Sequence, residues 1–450
     1  MEHTAWVIVA SGLLVFLAHL FAALFERTRV PDVLPLLFIG LAVGPLGNLV
    51  RPESLGRVGT VFTTAALVIM LFEGGLDLNF NTLRRSMAGA VALALSSVVA
   101  TTLAVGLLAH LGLDWPLLPS LVLGTVTSAM ASAVVIPMVG KLRVSAETRA
   151  ALVVESALSD VVCIVLVLGY LAASKASGMP GPGLLGTMLS SLFMAMVVGT
   201  AAALLWSTLL DSVRRLQSSM ITTPAFVFVV FGVTDLLGYS GAISALAFGV
   251  VLGNADSLQA LSDAWRLRYR PLTLAPNEKA FFGEIVFATK TFFFVYVGMS
   301  MHLREYDVLA VGAVITVITL LVRAPVVRAA MAPRHLQSDA TVAAVMVPRG
   351  LASAVLANLV VEAGMPEGPL LRNIAYAVIL FSITVTALLA FVVEKGWMTW
   401  PYAAIFRRYA VEHRGPDGLS VIPVETGLLP EDDTAGPPAP PLPPSPHDKA

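Results

Sequence analysis

Residues 151–170 read ALVVESALSDVVCIVLVLGY, a run of twenty residues whose only charges are Glu155 and Asp160. A helix needs about 20 apolar residues to cross the hydrocarbon of a bilayer, so the run has the length of one crossing. Barrel strands alternate apolar and polar residues, and this run does not. An ionised side chain at mid-bilayer costs about 2.5–3.5 kcal/mol on insertion scales. Two carboxylates retained against that cost mark the run as more than an anchor.

The rest of the chain has the same character. Of 450 residues, 57% are hydrophobic and 13% charged, and the mean hydropathy is +0.84. A soluble chain carries about 25% charged residues, so the charges that would cover a water-facing surface are missing. That deficit excludes an ordinary cytosolic enzyme, a nucleic-acid binder and a disordered regulator. The 28 basic residues balance 29 acidic ones, which leaves no polybasic surface for nucleic acid. Cys163 is the only cysteine, so neither an intrachain disulfide nor a cysteine-built metal site is available.

Apolar runs recur, centred near residues 15, 40, 66, 98, 128, 160, 196, 227, 247, 290, 318, 350 and 383. They predict an all-α polytopic membrane protein of about thirteen transmembrane helices. Gly238, Tyr239, Ser240 and Gly241 predict a tight turn that divides the stretch from Met220 to Asn254 into two crossings. When the joints are assigned alternately to the two sides, nineteen Lys and Arg fall on one side and five on the other. The positive-inside rule then predicts an N-terminus outside and a C-terminus in the cytoplasm. The first span has no basic residues before it and no A-x-A site after it, so it is expected to be retained. Residues 1–400 are expected to form the transmembrane domain and 401–450 a proline-rich disordered cytoplasmic tail, which includes GPPAPPLPPSPH from Gly436 to His447.

Six ionisable residues fall within the spans: Glu73, Glu155, Asp160, Lys290, Arg323 and Arg349. For Glu155 the simplest reading is a structural ion pair. For Lys290 and Arg323, snorkelling, a structural pair and a functional role all stay open. In Glu155-Ser156-Ala157-Leu158-Ser159-Asp160 the spacing puts Glu155 over Ser159 and Ser156 over Asp160 on neighbouring helix faces. Carboxylates interleaved with hydroxyls suit a dehydrated monovalent cation, which wants several oxygens and little total charge. One carboxylate that holds either a proton or a cation, never both, is sufficient machinery for exchange.

Two segments read as broken helices. Thr127-Ser128-Ala129-Met130-Ala131-Ser132-Ala133 is small or hydroxylic apart from Met130, and Pro348-Arg349-Gly350-Leu351-Ala352-Ser353 flanks an arginine with proline and glycine. Small residues at such spacing also simply permit close helix packing. Paired interruptions in corresponding halves are, however, where transporters present backbone oxygens to ions. The breaks fall in spans five and twelve, the spacing expected if spans four to six and eleven to thirteen are inverted repeats. Glu73 ends the third span beside Gly74 and Gly75, which allow its carboxylate to come close to another helix.

These residues resemble the monovalent cation:proton antiporters, in particular the NhaP-like sodium/proton exchangers, over roughly residues 5 to 395. The resemblance is carried by Arg29-Val30-Pro31 with Leu34-Pro35-Leu36-Leu37 and Gly40-Leu41-Ala42-Val43-Gly44-Pro45. Further on, Phe72-Glu73-Gly74-Gly75-Leu76, Glu155-Ser156 through Asp160, Phe293-Phe294-Val295 with Gly298-Met299, and Pro348-Arg349-Gly350 complete it. One motif alone is weak, whereas five in the same order are specific. The resemblance implies the NhaA/NhaP-like fold, with inverted repeats and two crossing broken helices, and a homodimer whose core bundle moves against a dimerisation domain. It implies that Asp160 binds proton and cation alternately, and that Glu73 and Ser156 are auxiliary ligands together with backbone oxygens near Ala129 and Met130. Glu155 matches a glutamate paired with an arginine, for which Arg323 is the best match. Arg349 matches a further arginine near the crossing.

The chain departs from the family pattern at two places. Ser159 stands where the family has asparagine, and Met130-Ala131-Ser132 stands where it has threonine-aspartate-proline, which removes a charge that would cap the broken helix ends. Ser128 or Thr127 is left as a substitute. Lys290 has no obvious family counterpart. The expected function is exchange of Na+, or K+, for H+ by alternating access, electroneutral because a single aspartate serves the ion, with a role in pH homeostasis. The expected setting is the cytoplasmic (inner) membrane, with the lipid bilayer and a second copy as partners, no cofactor, no nucleic acid and no enzymatic activity. The alternative is a transport-deficient sensor or channel-like protein on the same fold.

Overall fold

In hydrocarbon a backbone N–H or C=O finds no water, so an apolar segment must satisfy its own hydrogen bonds by forming a helix or joining a closed barrel. The computed structural model follows the first course. It describes residues 2–28, 31–49, 56–77, 87–175, 182–214, 219–255, 274–331 and 335–395, and beyond them 405–407, 409, 413–414 and 420–421. Among these residues there are fifteen α-helices. The first eight are α1 (Glu2–Thr28), α2 (Val33–Leu41), α3 (Gly56–Asp77), α4 (Met87–Gly112), α5 (Leu117–Val126), α6 (Ser132–Lys141), α7 (Ala146–Lys175) and α8 (Pro182–Val213). The others are α9 (Thr222–Leu236), α10 (Gly241–Gly253), α11 (Pro276–Met299), α12 (Tyr306–Ala330), α13 (Gln337–Val345), α14 (Leu351–Glu362) and α15 (Gly368–Glu394).

Two pairs of short helices, α5 with α6 and α13 with α14, are each the halves of one apolar run. They are separated only by residues 127–131 and 346–350. If each pair is taken as one segment, the fifteen helices follow the thirteen apolar runs of the sequence. Six helices (parts of α4, α7 and α8, with α11, α12 and α15) are each long and apolar enough to cross a bilayer unaided. The turn between α9 and α10 contains Gly238 at φ +81°, a left-handed backbone that glycine adopts freely.

Where helices cross closely, glycines let backbones touch. A Cβ on Gly298 of α11 would collide with the Leu37 carbonyl of α2, and one on Gly249 of α10 with the Phe72 carbonyl of α3. The outward faces are apolar rather than charged. Val99, Leu103, Leu107 and Leu111, one turn apart along α4, are between 55% and 68% exposed. In water such a stripe would drive aggregation, and against lipid tails it is the expected surface. The chain is an integral membrane protein.

Two units share one order: a long helix, a broken pair, a long helix. They are α4, α5/α6 and α7, and then α12, α13/α14 and α15. They pack together through α4 with α12, α14 with α7, and α15 with α5. The packed chain continues past residue 400. Phe406 and Tyr409 are buried, and the Tyr409 hydroxyl lies 3.2 Å from the carbonyls of Val327 and Met331 at the end of α12. The hydroxyl thus ties the residues past 400 to the end of α12. The proline-rich stretch 436–447 lies outside the described residues.

Candidate functional site

α7 carries Glu155, Ser156, Ser159 and Asp160 past both breaks. Glu155 is fully buried and grips the guanidinium of Arg323 from α12: Nη1 donates to Oε1, and Nη2 donates to Oε2 at 2.8 Å. Arg323 Nη1 also donates to Ser97 Oγ on α4 at 2.9 Å, and its Nε donates to the Ala343 carbonyl on α13 at 2.9 Å. A planar guanidinium that meets a carboxylate edge-on forms two charge-assisted bonds at once. This one pair ties four helices from both units together.

The breaks lie against each other. The Ala131 N–H donates to the Pro348 carbonyl at 2.9 Å, Arg349 Nη1 donates to the Ser128 carbonyl, and Ser353 Oγ lies 3.4 Å from the Ala129 carbonyl. Proline has no N–H to continue a helical ladder, so the chain at Pro348 spends its bonds across the crossing instead. The Arg349 N–H donates to Ser382 Oγ on α15 at 3.0 Å, while its Nε is buried without a partner. A Cβ at Gly350 would lie 2.6 Å from the Ala131 Cβ, so the approach of the two breaks depends on glycine there. Thr127 and Ser128 do not cap the second half-helix. Their hydroxyls donate back to Leu123 and Thr125 on α5, each at 2.8 Å.

Asp160 faces the break. The hydroxyl of Ser132, the first residue of α6, donates to Asp160 Oδ2 at 3.2 Å, and Oδ1 is shielded from solvent with no hydrogen-bond partner. Ser159 accepts from the Met130 N–H at 3.1 Å and donates to the Ser156 carbonyl at 2.9 Å, which fastens α7 to the break. Ser156 donates to the Val153 carbonyl at 2.9 Å and so keeps its lone pairs. The Ser128 hydroxyl also lies 3.2 Å from the Cys163 sulfur. The result is a carboxylate with one uncommitted oxygen among hydroxyls and half-helix ends. Such a set can take a proton or a small hard cation.

The remaining intramembrane charges are Glu73 and Lys290. Glu73 is partly buried on α3, which packs mainly on α10 and also touches α11 and α14. Lys290 of α11 pairs with Asp32 at 3.2 Å, each side chain 14% exposed, and Asp32 also accepts from the Val33 N–H at the start of α2.

Several polar residues of the assembly had no signal in the sequence. Ser97 and Ser382 are hydroxyls within apolar helices. Asp339, 1% exposed, accepts from the Ser145 N–H at 3.2 Å, from the Thr148 hydroxyl at 2.9 Å and from the Ser145 hydroxyl. It therefore stands at the N-termini of both α7 and α13, where a negative charge is favoured. Its run, Gln337–Val345, reads as an ordinary span edge.

The sequence matches the family described as "Sodium/hydrogen exchanger, transmembrane" over residues 13–395. It is 26% identical over 435 residues to the K(+)/H(+) antiporter NhaP of Alkalimonas amylolytica, covering 93% of this chain and 70% of that protein. It is 23% identical over 309 residues to Na(+)/H(+) antiporter 1 of Methanocaldococcus jannaschii, covering 66% of this chain and 68% of the relative. The fold is similar to the sodium proton antiporter MjNhaP1 of the same organism at pH 8. There the TM-score is 0.68 and the identity 20%, over 86% of this chain and all of the other.

Proposed function

The chain belongs to the sodium/hydrogen exchanger family, and from that membership we propose that it exchanges one proton for one monovalent cation at Asp160. It is a transporter, not an enzyme: a secondary active cation:proton antiporter in a membrane. Relatives named for Na(+) and for K(+) leave both cations as substrates. The observation that carries the assignment to Asp160 is its Oδ1, a buried carboxylate oxygen with no partner beside two helix breaks. Ser156, with its lone pairs free, and the carbonyl of Ala129 add ligands, and Glu73 assists from α3. Glu155 and Arg323 hold the core and do not bind the ion.

With one such carboxylate, proton and cation compete for the same oxygen and exchange is electroneutral. The working unit is a homodimer in the cytoplasmic membrane, N-terminus outside and C-terminus inside, with residues 401–450 as a cytoplasmic extension. No contact in the site favours a transport-deficient sensor or a channel-like protein. The test is pH-jump exchange in proteoliposomes against Li+, Na+ and K+, for the wild type and Asp160→Asn. The expected outcome is exchange without a membrane potential in the wild type and none in the variant. A sustained potential would contradict the stoichiometry, and full exchange by Asp160→Asn would contradict the site.

A further inference from the structure

The hydroxyls around the break are not equivalent. The protons of Thr127, Ser128, Ser156 and Ser159 are spent on backbone carbonyls of Leu123, Thr125, Val153 and Ser156. Ser132 alone among these described hydroxyls directs its proton to the carboxylate, at 3.2 Å from Asp160 Oδ2. It is also free of the duty that a serine at a helix start usually performs. The N-cap of α6 is Ala131, and no side chain caps the helix. Where the family has proline, this chain thus has a hydroxyl, and the hydroxyl faces the ion-binding carboxylate.

We propose that Ser132 is a specificity-determining residue of the exchange site, which positions Asp160 and contributes an oxygen to the bound cation. The inference rests on Asp160 as the ion carrier and deepens that reading. A serine hydroxyl has one donor and two acceptor positions, so Ser132 donates to Oδ2 while a lone pair remains for a cation held at Oδ1. With a proton on Oδ1 instead, the same donor bond persists, because Oδ2 is then the carbonyl oxygen of the acid. Ser132 therefore keeps the carboxylate in one orientation in both loaded states and adds a ligand in only one of them. That asymmetry acts on cation affinity. It also supplies an oxygen where Met130 and Ser159 replace the threonine and asparagine of the family pattern.

The experiment measures exchange in proteoliposomes, with cation KM and maximal rate for Li+, Na+ and K+, in the wild type, Ser132→Ala, Ser132→Pro, Ser132→Thr and Asp160→Asn. A hydrogen bond to a charged group and a ligand oxygen are lost together in Ser132→Ala, so its KM is expected to rise about tenfold for the cation that uses this oxygen most and less for the others, with maximal rate within about twofold. Ser132→Pro, tolerated at a first helical position, is expected to match it, and Ser132→Thr to restore the wild-type KM. A rise that is equal for all three cations would contradict a role in specificity. Wild-type KM in Ser132→Ala with Asp160→Asn inactive would overturn the role of Ser132 alone. Full exchange by Asp160→Asn would overturn the underlying site as well.

Discussion

Glu155 and Asp160 lie five residues apart on one helix and meet opposite environments. Glu155 has both oxygens engaged by Arg323, which is itself satisfied by Ser97 and Ala343. Asp160 has one hydroxyl on one oxygen and no partner on the other. A buried pair whose lone pairs and protons are all met has no capacity for a third charge, and removing one partner is costly. A carboxylate with an oxygen to spare has to take a proton or a cation to be tolerated in the membrane. The same residue class on one helix is thus structural in one place and reactive in the other, and the difference lies in what the neighbouring helices offer.

That contrast can be broken from the structural side first. Arg323→Met leaves Glu155 buried and unpaired, and is expected to cost about 3–5 kcal/mol. Thermal melts in detergent measure the loss, and adding Glu155→Gln to the same chain should recover most of it. A double variant as unstable as the single would show that packing, not charge matching, holds the four helices. Asp339→Asn comes next. It removes the charge at the N-termini of α7 and α13, and about 1.5–3 kcal/mol of stability with it, without changing the cation KM. An altered KM would place Asp339 in the ion path.

Gly350→Ala probes the crossing itself. The added methyl meets the Ala131 Cβ and is expected to cost about 1–3 kcal/mol through overpacking, with a several-fold fall in exchange rate because the breaks are forced apart. Unchanged exchange would mean that their contact is dispensable. Lys290→Met gives the smallest effect. Its pair with Asp32 is partly exposed, so a loss of about 1 kcal/mol or less is expected, with exchange intact. Loss of exchange would make Lys290 part of the mechanism.

The helices were legible because apolar runs of fixed length have one solution in a bilayer. The breaks were legible because proline, glycine and small residues interrupt such runs. The meeting of the breaks followed from the resemblance and not from the residues, since nothing in the sequence of Ala131 names Pro348 as its partner. Lys290 and Asp32, 258 positions apart, could not be paired from the sequence, because Asp32 reads as part of a polar joint. Ser132 was placed at the break, but its proton's destination was hidden. That destination depends on the rotation of α6 against α7, which a few degrees of helix phase decide. Charges of unusual cost announce themselves in a sequence, whereas hydroxyls of ordinary cost do not.

The central claim is that one carboxylate holds either a proton or a cation. It is tested most directly by adding Na+ or K+ to the purified protein in weakly buffered solution and counting the protons released. Wild type and the double variant Glu155→Gln with Arg323→Met should each release about one proton per cation bound, and Asp160→Asn none. Proton release that survives in Asp160→Asn, or disappears in the double variant while it remains folded, would contradict the account.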